Sequence, residues 1–248
     1  MSEPMAVILA AGQVTRMKSD LPKVLCRAAG RPLVDWVLDA LELAGVTRKV
    51  VVVGYRAELV EEELGGRAGV EFVHQTERLG TGHAVMMARA AIAEHDGPVV
   101  VLAGDSPMVR PASLRRLLDA YAQGRPKCLL GTLLKDDPTG LGRIVRDGAG
   151  AFVGIVEQKD ATPEQLAINE VNMSTYVFEA AALLSALDRL QANNAQQEYY
   201  LTDCPSILLS DGGPVDALPV LEPCEALSVN TVDELALVEA ELEKLSRQ

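Results

Sequence analysis

Apolar and polar stretches alternate regularly through the first half of the chain. Short aliphatic runs predict buried strands over residues 7–9, 50–53, 70–74 and 98–105. Between them, apolar positions three and four residues apart predict helices over residues 33–44, 58–64 and 81–94. Strands that alternate with helices are typical of an α/β fold with a mostly parallel sheet covered by helices on both faces.

The pattern is less regular in the second half. It predicts strands over 128–134, 173–178 and 215–221, helices over 112–121, 180–191, 200–209 and 232–245, and a hairpin over 142–157. Asp147 and Gly148 are expected in the turn of that hairpin. Since no repeat and no Pro/Gly/Ser linker interrupts the chain, we expect one domain over residues 1–230 and a final helix within 231–248.

Composition narrows the class of protein. The chain has 248 residues, of which 48% are hydrophobic, but no run approaches the roughly 20 apolar residues of a membrane span. The apolar segment near the N-terminus is short and has no basic flank, unlike a signal peptide. A net charge of −12 argues against a nucleic-acid surface. We therefore expect a cytoplasmic protein that binds neither membranes nor nucleic acids.

Cysteine and histidine residues are few and scattered. None of the four cysteines forms a C-x-x-C pair or lies near a histidine at ligand spacing, and the chain has three histidines. The sequence therefore predicts buried thiols, with neither zinc nor disulfides.

The first predicted strand runs into a turn of small residues and cations. Ala10-Ala11-Gly12 removes side-chain bulk where backbone N–H groups could approach a ligand, and Arg16, Lys18 and Lys23 follow. This pattern predicts a phosphate site. A buried strand, an ordinary turn and solvated cations are the alternative.

A carboxylate ends another predicted strand. Asp105 ends the strand predicted over residues 98–105, and ligands of open α/β sheets bind beyond the carboxyl ends of strands. Beside a phosphate loop, such an oxygen ligand suits Mg²⁺. The alternative is a helix N-cap or turn acid ahead of Ser106-Pro107.

Amide, hydroxyl and acidic residues occur at further element ends. Gln75 could hydrogen-bond the edge of a base, with Gly80 and Thr81 close to it, although Thr81 could equally be a helix N-cap. Gly142, Glu157, Asn172 and Asn230 are groups that could hold a hydroxyl-rich ligand such as a sugar, or could be turn glycines, a strand-end acid and caps.

At this point the sequence resembles a known family. Six blocks, in order, look like the uridyltransferase domain of the bifunctional N-acetylglucosamine-1-phosphate uridyltransferase/glucosamine-1-phosphate acetyltransferase. They are L-A-A-G-x-x-T-R-M-x-S-D-L-P-K-V from Leu9, Q-T-E-R-L-G-T-G-H-A from Gln75, G-D at Asp105, D-D-P-T-G-L-G-R-I from Asp136, G-I-V-E-Q-K-D-A-T from Gly154 and N-N-A-Q-Q-E-Y-Y-L-T-D from Asn193.

The resemblance implies a Rossmann-like nucleotidyltransferase fold and Mg²⁺ held by Asp105 and Asn230. It implies that Arg16 and Lys23 face the phosphates of UTP. The nucleotide-binding positions it implies are Leu9, Ala10, Ala11, Gly12, Gln75, Gly80, Thr81 and Gly104. The positions on the side of the sugar are Gly142, Glu157 and Asn172, together with the block Glu198, Tyr199, Tyr200, Leu201 and Thr202.

The implied reaction is attack by a sugar-1-phosphate oxygen on the α-phosphate of UTP, with departure of pyrophosphate and no covalent enzyme intermediate. Arg16, Lys23 and Asp105 are the catalytic residues that the resemblance implies. Two alternatives stay open. One is an enzyme with another pair of substrates, such as glucose-1-phosphate with UTP or dTTP. The other is a non-catalytic regulatory module that binds a sugar nucleotide.

The sequence also departs from the family pattern. Val14 stands in place of the second loop glycine, Asn172-Met173-Ser174 in place of N-T-G, and Ala103 in place of the tyrosine before G-D. The hexapeptide repeats of the acetyltransferase β-helix do not occur in these 248 residues. We therefore expect no acetyl transfer, and a monomer or weak dimer in place of the family trimer.

Overall fold

The computed structural model describes residues 2–13, 20–229 and 231–246. The strands are β1 Met5–Ala10, β2 Arg27–Ala28, β3 Arg31–Pro32, β4 Arg48–Val53, β5 Val70–His74, β6 Pro98–Ala103, β7 Cys128–Leu134, β8 Gly142–Arg146, β9 Phe152–Val156, β10 Glu170–Glu179 and β11 Val215–Leu218. The helices are α1 Leu33–Leu43, α2 Ala57–Leu64, α3 Thr81–Met87, α4 Arg89–Ala93, α5 Pro111–Gly124, α6 Pro163–Leu166, α7 Ala180–Leu187, α8 Asp203–Ser210 and α9 Val232–Ser246.

The main sheet has the strand order β11-β7-β10-β6-β1-β4-β5. β1 pairs in parallel with β4 and β6, and β4 with β5, whereas β10 is antiparallel to both β6 and β7. β7 therefore runs in the same direction as β6, and β11 is parallel to β7. Every strand of this path except β10 shares one direction, which confirms the predicted α/β fold with a mostly parallel sheet.

Two helical layers bury the two faces of the sheet. Alternate residues of β1 point to opposite faces: Met5 and Val7 pack with α3, α4, α7 and α8, whereas Ala6, Ile8 and Ala10 pack with α1, α2 and α5. All five are completely buried. A strand with both faces covered must be apolar at every position, which explains the continuous aliphatic runs in the sequence.

Two helix predictions were wrong at their ends, in each case because contacts distant in sequence replace helical ones. The helix predicted over 180–191 ends at Leu187, because Leu190 turns inward into the core beside Gly82. The helix predicted over 200–209 begins at Asp203, because the preceding backbone bonds to α3: Gly82 N–H donates to Tyr199 O at 2.8 Å.

The helix predicted over 81–94 is interrupted at Ala88. Its N–H donates to Val85 O, three residues back, so the hydrogen-bond spacing tightens between α3 and α4. The strand predicted over 173–178 is longer at both ends and contains a register shift between Asn172 and Thr175. The hairpin prediction is confirmed, since β8 and β9 are antiparallel and Asp147 Oδ1 accepts two backbone N–H bonds in the turn.

An ion-pair network joins the strands of the second half. Arg146 on β8 donates to both carboxylate oxygens of Glu170 on β10, at 2.6 and 2.7 Å, and to Ala217 O on β11 at 2.7 Å. Thr132 on β7 donates to Glu170 Oε1 at 2.6 Å. Four strands thus meet at the pair of Arg146 and Glu170, and Glu170 is 9% exposed.

The C-terminal helix α9 packs against the first half of the chain. Val238 and Leu242 are buried with Ala28, Leu33 and Met108. Cys26, Cys128 and Cys204 are buried free thiols and Cys224 is a half-buried one. Among the described residues, no helix has the length and apolar character that crossing a membrane requires.

The Glu170 network predicts a pH-dependent contribution to stability. Burial opposes ionisation of Glu170, but hydrogen bonds from Arg146 and Thr132 outweigh it and hold the pKa of the carboxyl below its usual value. The charged form therefore stabilises the fold above the usual pKa, and this contribution is lost as the pH falls through the lowered value. We expect Glu170→Gln to lower the free energy of unfolding at pH 7 by about 2 kcal/mol, measured by urea denaturation.

The difference in unfolding free energy between wild type and Glu170→Gln should shrink as the pH is lowered toward 3. A difference that stays constant between pH 7 and pH 3 would contradict this role of the carboxylate.

Candidate functional site

A cleft of about 310 Å³ opens at the carboxyl ends of β1 and β6. Nine of the predicted site residues line it: Leu9, Ala11, Gly12, Lys23, Gln75, Gly80, Thr81, Asp105 and Glu198. The first and last of these residues, Leu9 and Glu198, are 189 positions apart in sequence. The parallel strands nevertheless bring them to one edge of the sheet.

Backbone hydrogen bonds fix the floor of the cleft. Gly104 N–H donates to Leu9 O at 2.9 Å, which extends the pairing of β1 and β6 beyond their last paired residues. Lys23 N–H donates to Gly12 O at 3.1 Å, and Gln13 and Pro22 form an antiparallel bridge. Residues 12–13 and 22–23 therefore lie next to each other beside the cleft.

The charged centre of the cleft is an ion pair. Lys23 Nζ lies 2.5 Å from Asp105 Oδ2, and each side chain is about one-fifth exposed. The alternative that Asp105 is a helix N-cap is wrong, since the next helix, α5, has Arg110 at that position. A cation and a carboxylate that face solvent in a cleft can exchange partners when an anionic ligand enters.

Four residues of the phosphate and metal predictions, namely Val14, Arg16, Lys18 and Asn230, lie outside the described residues. No group of three or more His, Cys, Asp or Glu side chains that could hold a metal occurs in the described ranges. Mg²⁺ in phosphate-transfer sites is held by one or two carboxylates together with phosphates and water. A single carboxylate at Asp105 fits that donor set.

Gln75 is held rigidly at the other end of the cleft. It is 6% exposed, and its Nε2 donates to Gly80 O at 3.1 Å and lies 3.1 Å from His83 Nδ1. With the NH₂ group so engaged, Oε1 is the group that makes no hydrogen bond to the described part of the chain. It is an acceptor beside Gly80.

The turn into α3 depends on Gly80. Its φ of +108° and ψ of 177° are open to glycine alone, and a Cβ there would lie 2.6 Å from Tyr199 O. Thr81 is the first helical residue and not the N-cap, which corrects that alternative. Its Oγ1 instead accepts a hydrogen bond from Leu201 N–H at 3.1 Å, and so joins α3 to the Glu198–Thr202 block.

Two predicted nucleotide positions do not line the cleft. The Ala10 side chain is fully buried under the layer of α1, α2 and α5 because it points to the opposite face of β1. Gly104 packs between Ile8, Leu9 and Val24, where a Cβ would meet three atoms at 3.1 Å. Both residues lie below the floor.

Predicted sugar residues form a second group beside the cleft. Thr202 Oγ1 donates to Glu157 Oε1 at 3.1 Å, and a Cβ on Gly142 would lie 3.6 Å from both Asn172 Cβ and Glu157 Oε2. Burial raises the pKa of Glu157, and the negative charges of Asp160 and Asp203 raise it further. The hydrogen bond from Thr202 lowers the pKa but does not outweigh these effects. Asn172 Oδ1 accepts from Ser174 N–H at 3.2 Å, and Ser174 lines the cleft.

The two adjacent tyrosines have different places. Tyr199 uses its backbone to hold Leu79 and Gly82, and its ring lies 6.4 Å from the ring of His83. Tyr200, which belongs to the same motif block, lines a polar recess together with Glu157 and Gln158. Motif matching does not reveal which neighbour faces the recess, because this depends on the hydrogen bonds between residues 199–201 and α3.

Sequence reasoning also missed Arg78, Ala103 and Ser174 as residues that line the cleft. Arg78 Nη1 donates to Gln13 Oε1 at 3.2 Å, and its guanidinium carbon lies 5.5 Å from the centre of the Tyr55 ring. Ala103 and Ser174 are two of the departures from the family pattern. Tyr176 pairs with Val101 where β6 and β10 run antiparallel. Ala103 on β6 and Ser174 on β10 each lie two residues from this pair, toward the cleft, and so share one wall of it.

Gly80→Ala should disrupt this site and Gly148→Ala should not. The first substitution forces a side chain into a glycine-only conformation and onto the Tyr199 backbone, at a cost of about 3 kcal/mol in unfolding free energy. Gly148, in the β8–β9 turn, has no atom within 4 Å of an added Cβ and serves as the control. Chemical denaturation measures both, and equal stability of the two variants would contradict the prediction.

Comparison with known proteins agrees with this architecture. The family model of the MobA-like NTP transferase domain matches residues 6–199. The bifunctional protein GlmU of Solibacter usitatus is 46% identical over 241 residues, which are 96% of this chain and 52% of the relative. Those of Heliobacterium modesticaldum and Streptococcus gordonii are 46% and 45% identical over 98% and 95% of the chain.

The chain thus spans about half the length of the curated relatives it matches. The matches confirm the resemblance that the motifs indicated. The chain belongs to the family of MobA-like NTP transferase domains.

Proposed function

We propose that this chain transfers a uridylyl group from UTP to N-acetylglucosamine-1-phosphate, giving UDP-N-acetylglucosamine and pyrophosphate. The observation that carries the proposal is the single cleft that joins an acceptor for a base, a Lys–Asp ion pair and, next to them, the Glu157 group. The relatives named bifunctional protein GlmU support it.

The base end of the proposed site selects uracil through Gln75. Uracil presents N3–H as a donor, which matches the available acceptor Oε1, whereas cytosine presents an acceptor at the same ring position. A buried acceptor that meets another acceptor loses its hydrogen bond, which costs about 1–3 kcal/mol. UTP should therefore be preferred to CTP.

The phosphate end works through charge and alignment. The attacking oxygen of a sugar-1-phosphate is already anionic, so the chain needs no general base. Lys23 places a cation at the end of β1, where the phosphates of the nucleotide would lie above Gly12. Arg16 is proposed to face the same phosphates.

Mg²⁺ is the proposed metal, held by Asp105 and Asn230. When bound, it would neutralise phosphate charge and orient the α-phosphate. Asp105 contributes the carboxylate, and its contact with Lys23 keeps both charges compensated before substrate binds.

The sugar end is assigned to Gly142, Glu157, Asn172, Glu198 and Thr202, with Tyr199 as the backbone support and Tyr200 as a lining residue of the recess. An ionised Glu157 can accept the N–H of an acetamido group. Ala103 and Ser174 bear small side chains on the wall between this group and Asp105.

A panel of nucleotides against sugar phosphates, followed by pyrophosphate release with Mg²⁺, tests the substrate pair. The fastest turnover is expected with UTP and N-acetylglucosamine-1-phosphate. Faster turnover of glucose-1-phosphate with UTP or dTTP would replace the proposed acceptor, and no release with any pair would favour a non-catalytic binding module.

Asp105→Ala should lower kcat by about 10² to 10³ or more, because it removes the proposed metal carboxylate and the ion pair with Lys23. Asp119→Ala is the matched control, since Asp119 is an exposed carboxylate on α5 away from the cleft. The same pyrophosphate assay measures both variants, and normal turnover by Asp105→Ala would refute the assignment.

The raised pKa of Glu157 predicts a pH effect on the acceptor. Because the pKa lies above the usual value, the carboxyl becomes protonated at a higher pH than an exposed glutamate does. As the pH falls from 8 toward 5, the KM for N-acetylglucosamine-1-phosphate should rise more in wild type than in Glu157→Gln. Parallel pH profiles of the two proteins would contradict a role for the carboxylate, and the KM for UTP serves as the internal control.

The cytoplasmic location and the monomeric or weakly dimeric state stay predictions.

A further inference from the structure

A second cavity, of about 480 Å³, lies at the opposite end of the sheet from the cleft. We call it the basal cavity, and its walls include His95, Pro98, Tyr121, Arg125, Lys127 and Glu179. Pro98 begins β6 and Glu179 ends β10, whereas Ala103 and Ser174 of the same strands line the cleft. The six residues of β6 set the two sites roughly 17–20 Å apart.

Tyr121 supplies a hydroxyl donor to the basal cavity. The residue is 7% exposed, and its hydroxyl forms no hydrogen bond with any described residue. Burial, with the charge of Glu179, raises its pKa to about 12, so the hydroxyl keeps its proton at neutral pH. The hydroxyl oxygen is open to solvent and so can donate to a ligand or water in the cavity.

The first turn of α7 supplies backbone donors. Ala180 and Ala181 line the basal cavity, and no side chain among the described residues caps the N–H groups of this turn. The preceding carboxylate, Glu179, could have served as a cap but instead contacts Lys127. The N–H groups at a helix N-terminus carry partial positive charge and favour anions.

Arg125 supplies a cation. It ends α5 with a left-handed φ of 44°, and its guanidinium forms no ion pair and no side-chain hydrogen bond within the described ranges. Lys127 is compensated by Glu179, so Arg125 is the cation of the cavity left for a ligand. Asp96 also lines the cavity and reduces its positive potential, which implies weak binding.

We propose that the basal cavity is a second binding site, which takes the phosphate group of a small molecule. The hydroxyl of Tyr121, the N–H groups of Ala180 and Ala181 and the guanidinium of Arg125 are three kinds of donor, all suited to phosphate oxygens, around one space. The volume exceeds that of inorganic phosphate, so a phosphorylated metabolite fits as well. No residue of the proposed transfer site takes part.

Titration with inorganic phosphate at constant ionic strength, followed by amide NMR, tests the proposal on the full chain. The resonances of Ala180 and Ala181 should shift and saturate in wild type, independently of the Gly12 resonance, which reports the cleft. Arg125→Gln and Tyr121→Phe should each weaken the dissociation constant read at Ala180 by about five- to tenfold. Arg116→Gln is the control, because Arg116 lies on the same helix but pairs with Glu222.

A second arm with glucose 6-phosphate distinguishes the source of the phosphate group. Tighter binding than inorganic phosphate assigns the site to a phosphorylated sugar, and equal binding assigns it to free phosphate. The proposal is overturned if Gly12 shifts while Ala180 and Ala181 do not, or if both variants bind as wild type does.

Discussion

The contact between Lys23 and Asp105 is the interaction on which the arrangement of the cleft depends. Backbone hydrogen bonds near the end of β1 position both residues. Lys23 N–H donates to Gly12 O, and the N–H of Gly104, which directly precedes Asp105, donates to Leu9 O. The two charged groups are 82 positions apart in sequence but lie 2.5 Å apart in the structure. The pair is neutral overall and both side chains are partly exposed to solvent in the cleft. Lys23 can therefore contact an anionic phosphate without a large rearrangement of the chain.

The rest of the cleft is built by packing one chain segment against another. The backbone of residues 199–201 is hydrogen-bonded to Leu79, Thr81 and Gly82 and is not helical. These hydrogen bonds connect the base end of the proposed site to its sugar end. Only glycine at position 80 permits this close approach. The same contacts that end a predicted helix early therefore connect the two halves of the proposed site.

Local pattern was sufficient for the central strands, because residues such as Val7 and Val50 are buried on a sheet covered on both sides. It was insufficient where distant contacts decide the backbone, as at Leu190, Tyr199 and the bulge beside Ser174. Motifs placed Gln75, Lys23 and Asp105 in one site, and the structure brings them to one cleft. They did not find Arg78, whose position follows from side-chain contacts that no spacing rule contains, and they did not show that Tyr200 lines the recess beside Glu157.

The most direct test of this account is a double-mutant cycle on Lys23 and Asp105, with kcat for pyrophosphate release from UTP and N-acetylglucosamine-1-phosphate as the measured quantity. If the two residues act as one unit, the variant that carries both Lys23→Ala and Asp105→Ala should be about as slow as the slower single variant. Losses that multiply as for independent sites, or turnover close to wild type in either single variant, would contradict it.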